Sequence, residues 1–410
     1  MNTANLEDIY ELSPLQQGLL FHTIYAPNSG IYFEQFCWTL KGDFNLAAFK
    51  QAWEKVVERH PILRTAFYWQ DLEKPYQVVY QQVELPWEVQ DWREFCAEIQ
   101  KQKLEDFLQA DRQRGFELSQ APLIRLNLFR LDEQTYEFVW SSHHLLLDGW
   151  SESLVFKEVY AFYQGFCQSE VIKLNSPRLY RDYINWLQQQ NLSEAEAFWR
   201  KTLKGFDKPT TLLLDKNPGI LPSLDEDYDW QRIEISESTT TALQSLAREH
   251  QLTLNTLAQG AWTILLSRYS GESDIVFGST SSGRPPTLPG VEDMVGLFVN
   301  TLPLRVQVTE DALLLPWLKE LQNHQIEVIQ YEYSPLVEVQ RWSDVDRGQS
   351  LFEIGYVLEN YPIDAALNQE IDGLKIESGQ SFEKTNEALS LLVAPGDSLR
   401  IDLLYDTRRF

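Results

Sequence analysis

Two hydrophobic periods alternate along the chain, and each predicts its own kind of element. After Asp43 and Asn45, the apolar side chains Leu46, Phe49, Trp53, Val56 and Val57 recur at helical spacing with polar residues between them, which predicts an amphipathic helix. Pro61 ends it, and strands are expected on either side, over 32–40 and 63–69. A second helical pattern covers about 95–110. Residues 123–144 read as a hairpin: Ile124, Leu126 and Leu128 alternate on one strand, Tyr136, Phe138 and Trp140 on the next, and Asp132, Glu133 and Gln134 supply the turn. Ser151 is placed to cap a following helix whose buried face carries Val155, Val159, Phe162 and Phe166.

The polar, proline-terminated segment 168–177 and the Pro-, Gly- and Asp-rich segment 204–229 are the expected linkers. Beyond them helices are expected over 236–250, 254–269 and 313–331, and strands over 274–279, 351–359, 388–393 and 399–404. Helices and strands mixed in this way predict an α/β architecture. Residues 49–67 run helix, basic end, strand, and 257–277 do the same, which favours two similar lobes over two unrelated domains.

Composition narrows the picture. With 410 residues, 43% of them hydrophobic, and 13 Trp, 18 Tyr and 21 Phe, the chain has ample volume for a core. Lys and Arg total 35 against 60 Asp and Glu, a net charge of −25, which repels nucleic-acid phosphates and anionic lipid alike. Cys37, Cys96 and Cys167 are far apart and odd in number, so neither a disulfide framework nor a CxxC metal site can be drawn, and a reducing cytoplasm is expected. Residues 1–12 lack the apolar run of a signal peptide, and no apolar run approaches the roughly 18 to 20 residues that span a bilayer. Residues 402–410 read as a strand followed by charged residues, the edge of a longer chain.

The sharpest feature is the stretch His143-His144-Leu145-Leu146-Leu147-Asp148-Gly149-Trp150. Adjacent strand residues point to opposite faces, so only one of the two imidazoles can enter a given cavity. A metal is disfavoured for the same reason, since no third ligand is spaced to help. Both histidines would pass as satisfied core residues but for three things: the strand-to-turn exit, an Asp four residues after His144, and a Gly that lets backbone approach. An Asp beside a leucine run is costly as a free charge and should find a cation, most naturally an arginine.

This stretch resembles the HHxxxDG motif of the condensation domains of nonribosomal peptide synthetases, members of the chloramphenicol-acetyltransferase-like acyltransferases. Epimerization domains and CoA-dependent acyltransferases share that motif alone, but further segments match in order along nearly the whole chain. Ser13-Pro14-Leu15-Gln16-Gln17-Gly18-Leu19-Leu20-Phe21-His22 is similar to the family's opening motif, and Arg59-His60-Pro61-Ile62-Leu63-Arg64-Thr65-Ala66-Phe67 to its second. Tyr180-Arg181-Asp182-Tyr183 with Trp186 resembles the fourth. Ser282-Gly283-Arg284-Pro285, with Gly290-Val291-Glu292 and Gly296-Leu297-Phe298-Val299-Asn300, resembles the fifth. Tyr333-Ser334-Pro335-Leu336 and residues 351–362 resemble the last ones.

The resemblance implies two chloramphenicol-acetyltransferase-like lobes, 1–175 with the histidine motif and 176–410 with segments bridging back, in a V-shaped pseudo-dimer with a central tunnel. An upstream carrier protein would bring a donor thioester and a downstream one an acceptor amine, beside an adjacent adenylation domain, and the product would be an amide. No metal or nucleotide would be needed. The chain would bind no cofactor of its own, since the 4′-phosphopantetheine arms belong to the carriers. Carrier proteins are usually acidic, so docking would rest on apolar contacts and local basic patches.

By the same resemblance His144 faces the tunnel. An α-amino group with a pKa near 7.7 is already neutral in roughly a sixth of molecules at pH 7, so the ring is needed either as a proton acceptor once nitrogen bonds to carbon, or to orient the amine. Gly149 would let backbone approach the developing oxyanion, or would serve a tight turn. His143 and Asp148 are read as structural, with Arg284 preferred over Arg64 as the partner of Asp148, and Trp150, Ser151 and the stretch 293–300 as tunnel lining or core. His22, His60, His250 and His324 are read as bystanders. The intact histidine motif argues against a heterocyclization domain. The missing glutamate motif argues against an epimerization domain, and His22, outside any second histidine motif, against a dual one. The opening motif and the LLLDGW form look like those of domains that take a D-configured donor residue. The alternatives are a catalytically silent carrier-docking domain of the same fold and a stand-alone CoA-dependent acyltransferase.

Overall fold

The computed structural model describes residues 5–27, 29–218, 228–360 and 374–410. The chain divides into two compact units, one of Met1–Gln189, Arg284–Phe298 and Tyr361–Thr385, the other of Gln190–Gly283, Val299–Asn360 and Asn386–Phe410.

In the first unit, strands β1 (Leu6–Glu11), β3 (Thr65–Tyr68) and β4 (Tyr76–Tyr80) form a small antiparallel sheet in the order β1-β4-β3. Strands β2 (Phe33–Lys41), β5 (Trp87–Asp91), β6 (Ile124–Arg130), β7 (Thr135–His143) and β12 (Lys375–Phe382) form a second in the order β12-β2-β7-β6-β5. The helices are α1 (Pro14–Tyr25), α2 (Leu46–Arg59), α3 (Ala97–Arg114), α4 (Gly149–Gln168) and α5 (Tyr180–Leu187). The register pairs Phe36 with Trp140 and Trp38 with Phe138, so one face of the larger sheet is aromatic. Helices α2 and α4 cover it: Trp53 meets Trp140 at 5.1 Å and Phe156 meets Trp38 at 4.5 Å between ring centroids. On the other face α3 closes a smaller cluster of Cys37, Trp92, Leu108, Phe129 and Val139.

The second unit is built on a six-stranded sheet of β8 (Tyr228–Ile235), β9 (Asp274–Ser281), β10 (Asn300–Gln307), β11 (Ile354–Leu358), β13 (Leu389–Ala394) and β14 (Leu399–Asp406), in the order β10-β9-β11-β13-β14-β8. Helices α6 (Leu192–Thr202), α7 (Glu237–His250), α8 (Leu254–Ser270), α9 (Leu314–Ile329) and α10 (Leu336–Trp342) accompany it. Its core joins Trp199, Trp262, Leu318 and Val339 to Phe277, Tyr356 and Val393 of the strands.

Several expectations change. Residues 61–64 form a 3-10 turn, so the strand expected from 63 begins at Thr65. Ser151 does not cap α4; Asp148 does, accepting a hydrogen bond from the Ser151 amide at 2.8 Å, because its carboxylate outcompetes a hydroxyl already inside the first turn. The unit division falls in the turn between α5 and α6, in neither polar segment expected as a linker, because Tyr180 and Tyr183 of α5 pack on Phe298. Of the second expected linker, 219–227 lies outside the described residues, as do 361–362 of the last motif. The two echoing helix-strand segments end differently, in β3 at the edge of the small sheet and in β9 inside the large one.

Candidate active site

Strand parity builds the site. Glu34 pairs with Ser142 across β2 and β7, on the same face as Phe36, Trp38 and Trp140. Two residues beyond Ser142 that face reaches His144, whose amide donates to Tyr32 O at 2.9 Å and so continues the ladder past the strand end. On the far side of β2, Phe382 of β12 pairs with Gln35, so the next residue, Glu383, comes alongside Glu34. Three neighbouring strand ends thus bring two carboxylates and an imidazole together: one donor atom each from Glu34, His144 and Glu383 lie within 4.8 Å of one another. The first turn of α4 adds Glu152, which is buried.

The two motif histidines have opposite surroundings. His143 is sealed, its Nδ1 accepting the Leu145 amide at 3.2 Å, and burial together with the neighbouring His144 pushes its pKa down to about 3. Its ring is held neutral. His144 keeps 15% of its side chain open, and its Nδ1 lies 2.7 Å from Glu34 Oε1. Burial alone would drive off its proton, but the carboxylates of Glu34, Glu383 and Asp148 outweigh that and raise the ring to about 9. Glu152 moves well above the usual carboxylate range, first through burial and then through the charge of Glu34, so it is held as the neutral acid. The spacing of Glu34, His144 and Glu383 would admit a cation, and without one the two carboxylates favour the protonated ring between them.

The turn after the histidines is held from three sides. Gln16 is fully buried: its Oε1 accepts the Ser13 amide at 2.9 Å while Ser13 Oγ accepts the Gln16 amide at 3.1 Å, and its Nε2 donates to Leu145 O at 2.9 Å. The opening motif is therefore a capping box that also grips the histidine loop. Asp148 is the second hold. Its Oδ2 accepts the Phe298 amide at 2.8 Å and its Oδ1 lies 3.3 Å from Arg284 Nη2, which also donates to Ser151 Oγ at 2.8 Å. Arg284 spends its other nitrogen on Val291 O and Met294 O, at 2.5 and 2.9 Å, and stacks over Phe298. Third, Ser151 Oγ donates to Gly296 O at 2.6 Å, and Gly296 must be glycine, since a Cβ there would sit 2.1 Å from the Tyr180 ring. Tyr180 in turn donates to Leu297 O at 2.6 Å.

Of the residues singled out in the sequence, His143, His144, Asp148, Gly149, Trp150, Ser151 and Arg284 are brought together. Ser151 is fully buried in the Arg284 network rather than lining an opening. Trp150 is half-buried, its indole donating to Glu292 O at 2.9 Å. Gly149 opens α4, where the first-turn amides have no acceptor within the helix. Arg64 lies elsewhere: it pairs with Glu7 at 2.6 Å and donates to Val57 O and Gln81 O, because its place behind α2 turns it toward the small sheet and away from Asp148. His60 is no idle side chain, since its Nε2 lies 2.7 Å from Glu158 and ties α2 to α4.

The sequence reading missed Glu34, Glu152 and Glu383. Two had a signal: Glu34 sits in register with Phe36, Trp38 and Leu40 on a buried strand face, and Glu152 in helical register with Val155, Phe156 and Val159. Glu383 had none, because it arrives on a strand distant in sequence.

The fold is that of acyl-transferring domains of peptide assembly lines, and comparison with known proteins places it there. The starter condensation domain of rhizomide synthetase, solved with C8-CoA, superposes with a TM-score of 0.83 at 19% identity, covering 98% of this chain and 90% of that one. The X-domain from teicoplanin biosynthesis gives a TM-score of 0.80 at 20% identity, covering 98% and 90%. Residues 6–410 match the condensation-domain family, so the chain belongs to it, an acyltransferase family that forms peptide bonds in nonribosomal peptide synthetases. Linear gramicidin synthase subunits C and B of Brevibacillus parabrevis are 44% and 46% identical over 99% of the chain, which spans only 5% and 8% of their lengths.

Proposed function

We propose that the chain joins a donor acyl or peptidyl thioester on an upstream carrier to the amine of an aminoacyl thioester on a downstream carrier. The amine lone pair attacks the thioester carbonyl; a C–N bond forms, the C–S bond breaks, and the proton lost by nitrogen ends on the departing sulfur. Atoms balance without a metal, a nucleotide or any cofactor of the chain's own, because both substrates arrive on 4′-phosphopantetheine arms. An adjacent adenylation domain would load the downstream carrier, in the cytoplasm. No helix among the described residues is long and apolar enough to cross a membrane.

One observation carries this reading: of two adjacent histidines, one is sealed and neutral while the other keeps 15% of its side chain exposed, four residues before the Asp148 cap of α4. His144 would meet the reacting groups, and the amides of Gly149 and Trp150 are candidate donors to the developing oxyanion. His143, Asp148 and Arg284 would hold the turn. The opening motif and the LLLDGW form favour a D-configured donor.

The test is reconstitution with an upstream carrier loaded with a D- or L-aminoacyl group and a loaded downstream carrier, read by the intact mass of the acceptor carrier. Dipeptide is expected, faster from the D donor, and lost in His144→Ala with the fold retained. Turnover of that variant near the wild-type rate would overturn the reading. Binding of both carriers without any amide would make this a docking domain. Equal turnover with free CoA thioesters would make it a stand-alone acyltransferase.

A further inference from the structure

The carboxylate behind His144 has no part in the reading above, and its placement is specific. Glu34 is a buried acid on an aromatic strand face, with one oxygen 2.7 Å from His144 Nδ1 and the neutral Glu152 on its other side. Glu383 approaches from the end of β12. A buried carboxylate is costly unless a positive charge answers it. The charged and titratable groups facing the ring are Glu34 from β2, Glu383 from beyond β12, Asp148 and Glu152 from the start of α4, and His143 from its own strand. Asp148 is answered by Arg284, and a neutral Glu152 and a neutral His143 bring no charge. The positive group that faces the buried Glu34 is then His144 itself, with the exposed Glu383 nearby.

We propose that Glu34 is a positioning residue that fixes the His144 ring through Nδ1 and keeps it an imidazolium, so that its other N–H meets the thioester carbonyl as a hydrogen-bond donor and not as a proton acceptor. This rests on the amide-forming reading and assigns the kind of help His144 gives. As the amine attacks, the carbonyl oxygen becomes an oxyanion, and a fixed N–H with a positive charge behind it stabilises that oxygen more than the ground-state carbonyl. The ring neither gains nor loses a proton over the cycle, so the proton leaving nitrogen still ends on sulfur. Glu383 reinforces the same charge from the far side of β2.

The pH dependence separates the two roles. With a donor ring, the rate of a single turnover should climb as the acceptor amine loses its proton near about 7.7 and fall as His144 loses its own near 9. In Glu34→Gln the falling limb should move down toward the ordinary imidazole value of about 6.5, cutting the rate at pH 8 by about tenfold or more while the apparent KM for each carrier holds. Glu34→Asp should restore part of the rate, and Glu383→Gln should shift the limb less, in the same direction. The titration of His144, followed by NMR on ring-labelled protein and identified by its loss in His144→Ala, should move in parallel. A Glu34→Gln enzyme that is as fast or faster at pH 7, with its falling limb unmoved, overturns the proposal in favour of a proton-accepting ring. So does a His144 resonance that titrates near 6.5 in the wild type. Should Glu34→Gln not fold, the wild-type titration and Glu383→Gln still decide. A wild-type enzyme that makes no amide sinks the functional reading instead, and the NMR arm still tests the pairing.

Discussion

At the residue scale, protonation is the main variable, and the two histidines have opposite pH windows. His144 has its folded pKa raised to about 9, so the stability it contributes is full below about 6.5 and is lost as pH rises through 9. His143 has its folded pKa lowered to about 3, so its contribution is full above about 6.5 and is lost as pH falls toward 3. Glu152 gives the cleanest test. Its folded pKa is raised, so its contribution is present below the ordinary carboxylate range and lost as pH rises; at neutral pH it sits as a buried acid, one oxygen unpartnered. Glu152→Gln swaps one neutral group for another of the same shape. Thermal melts between pH 6 and 9 should show a variant at least as stable as the wild type, with a shallower loss toward alkaline pH. A Tm drop of many degrees at pH 7 would mean that Glu152 is ionised and paired.

At the scale of elements, the opening motif works as a helix start that reaches into another element. Ser13→Ala removes an N-cap hydrogen bond and should cost about 1 kcal/mol. Gln16→Leu removes the reciprocal half of that box and also leaves Leu145 O without its donor, so a larger loss, about 2 kcal/mol, is expected. Denaturant unfolding of the two variants checks the order, and equal costs would mean that the grip on the histidine loop adds nothing. Much of this level was legible beforehand. The β6–β7 hairpin, α2, α7 and α8 follow from periods of two and 3.6; an arginine partner for Asp148 follows from the cost of a lone buried carboxylate, and its choice as Arg284 from the family motif. What periodicity could not give was pairing at a distance. β12 is nearly all exposed and reads as polar loop, yet it lies against β2 across more than 300 residues and delivers Glu383. β10 contains Pro303, which argues against a strand unless the strand lies at an edge, and it does.

For the molecule as a whole, the net charge of −25 sets how partners arrive. Against acidic carriers, which the family resemblance leads one to expect, the long-range field opposes every encounter, and productive docking must rest on short-range apolar contacts and on basic groups close to them. The two contributions have different reach. Repulsion between whole molecules acts over the Debye length, about 30 Å at 0.01 M salt but about 8 Å at 0.15 M, whereas a docked ion pair is only weakly screened. Raising ionic strength over that range should therefore speed association with an acidic carrier severalfold while leaving the dissociation rate nearly constant, the reverse of the usual salt effect on charged complexes. Stopped-flow measurement of carrier binding at several salt concentrations tests this. An association rate that falls with salt would show that a local basic patch, and not the field of the whole chain, governs the approach.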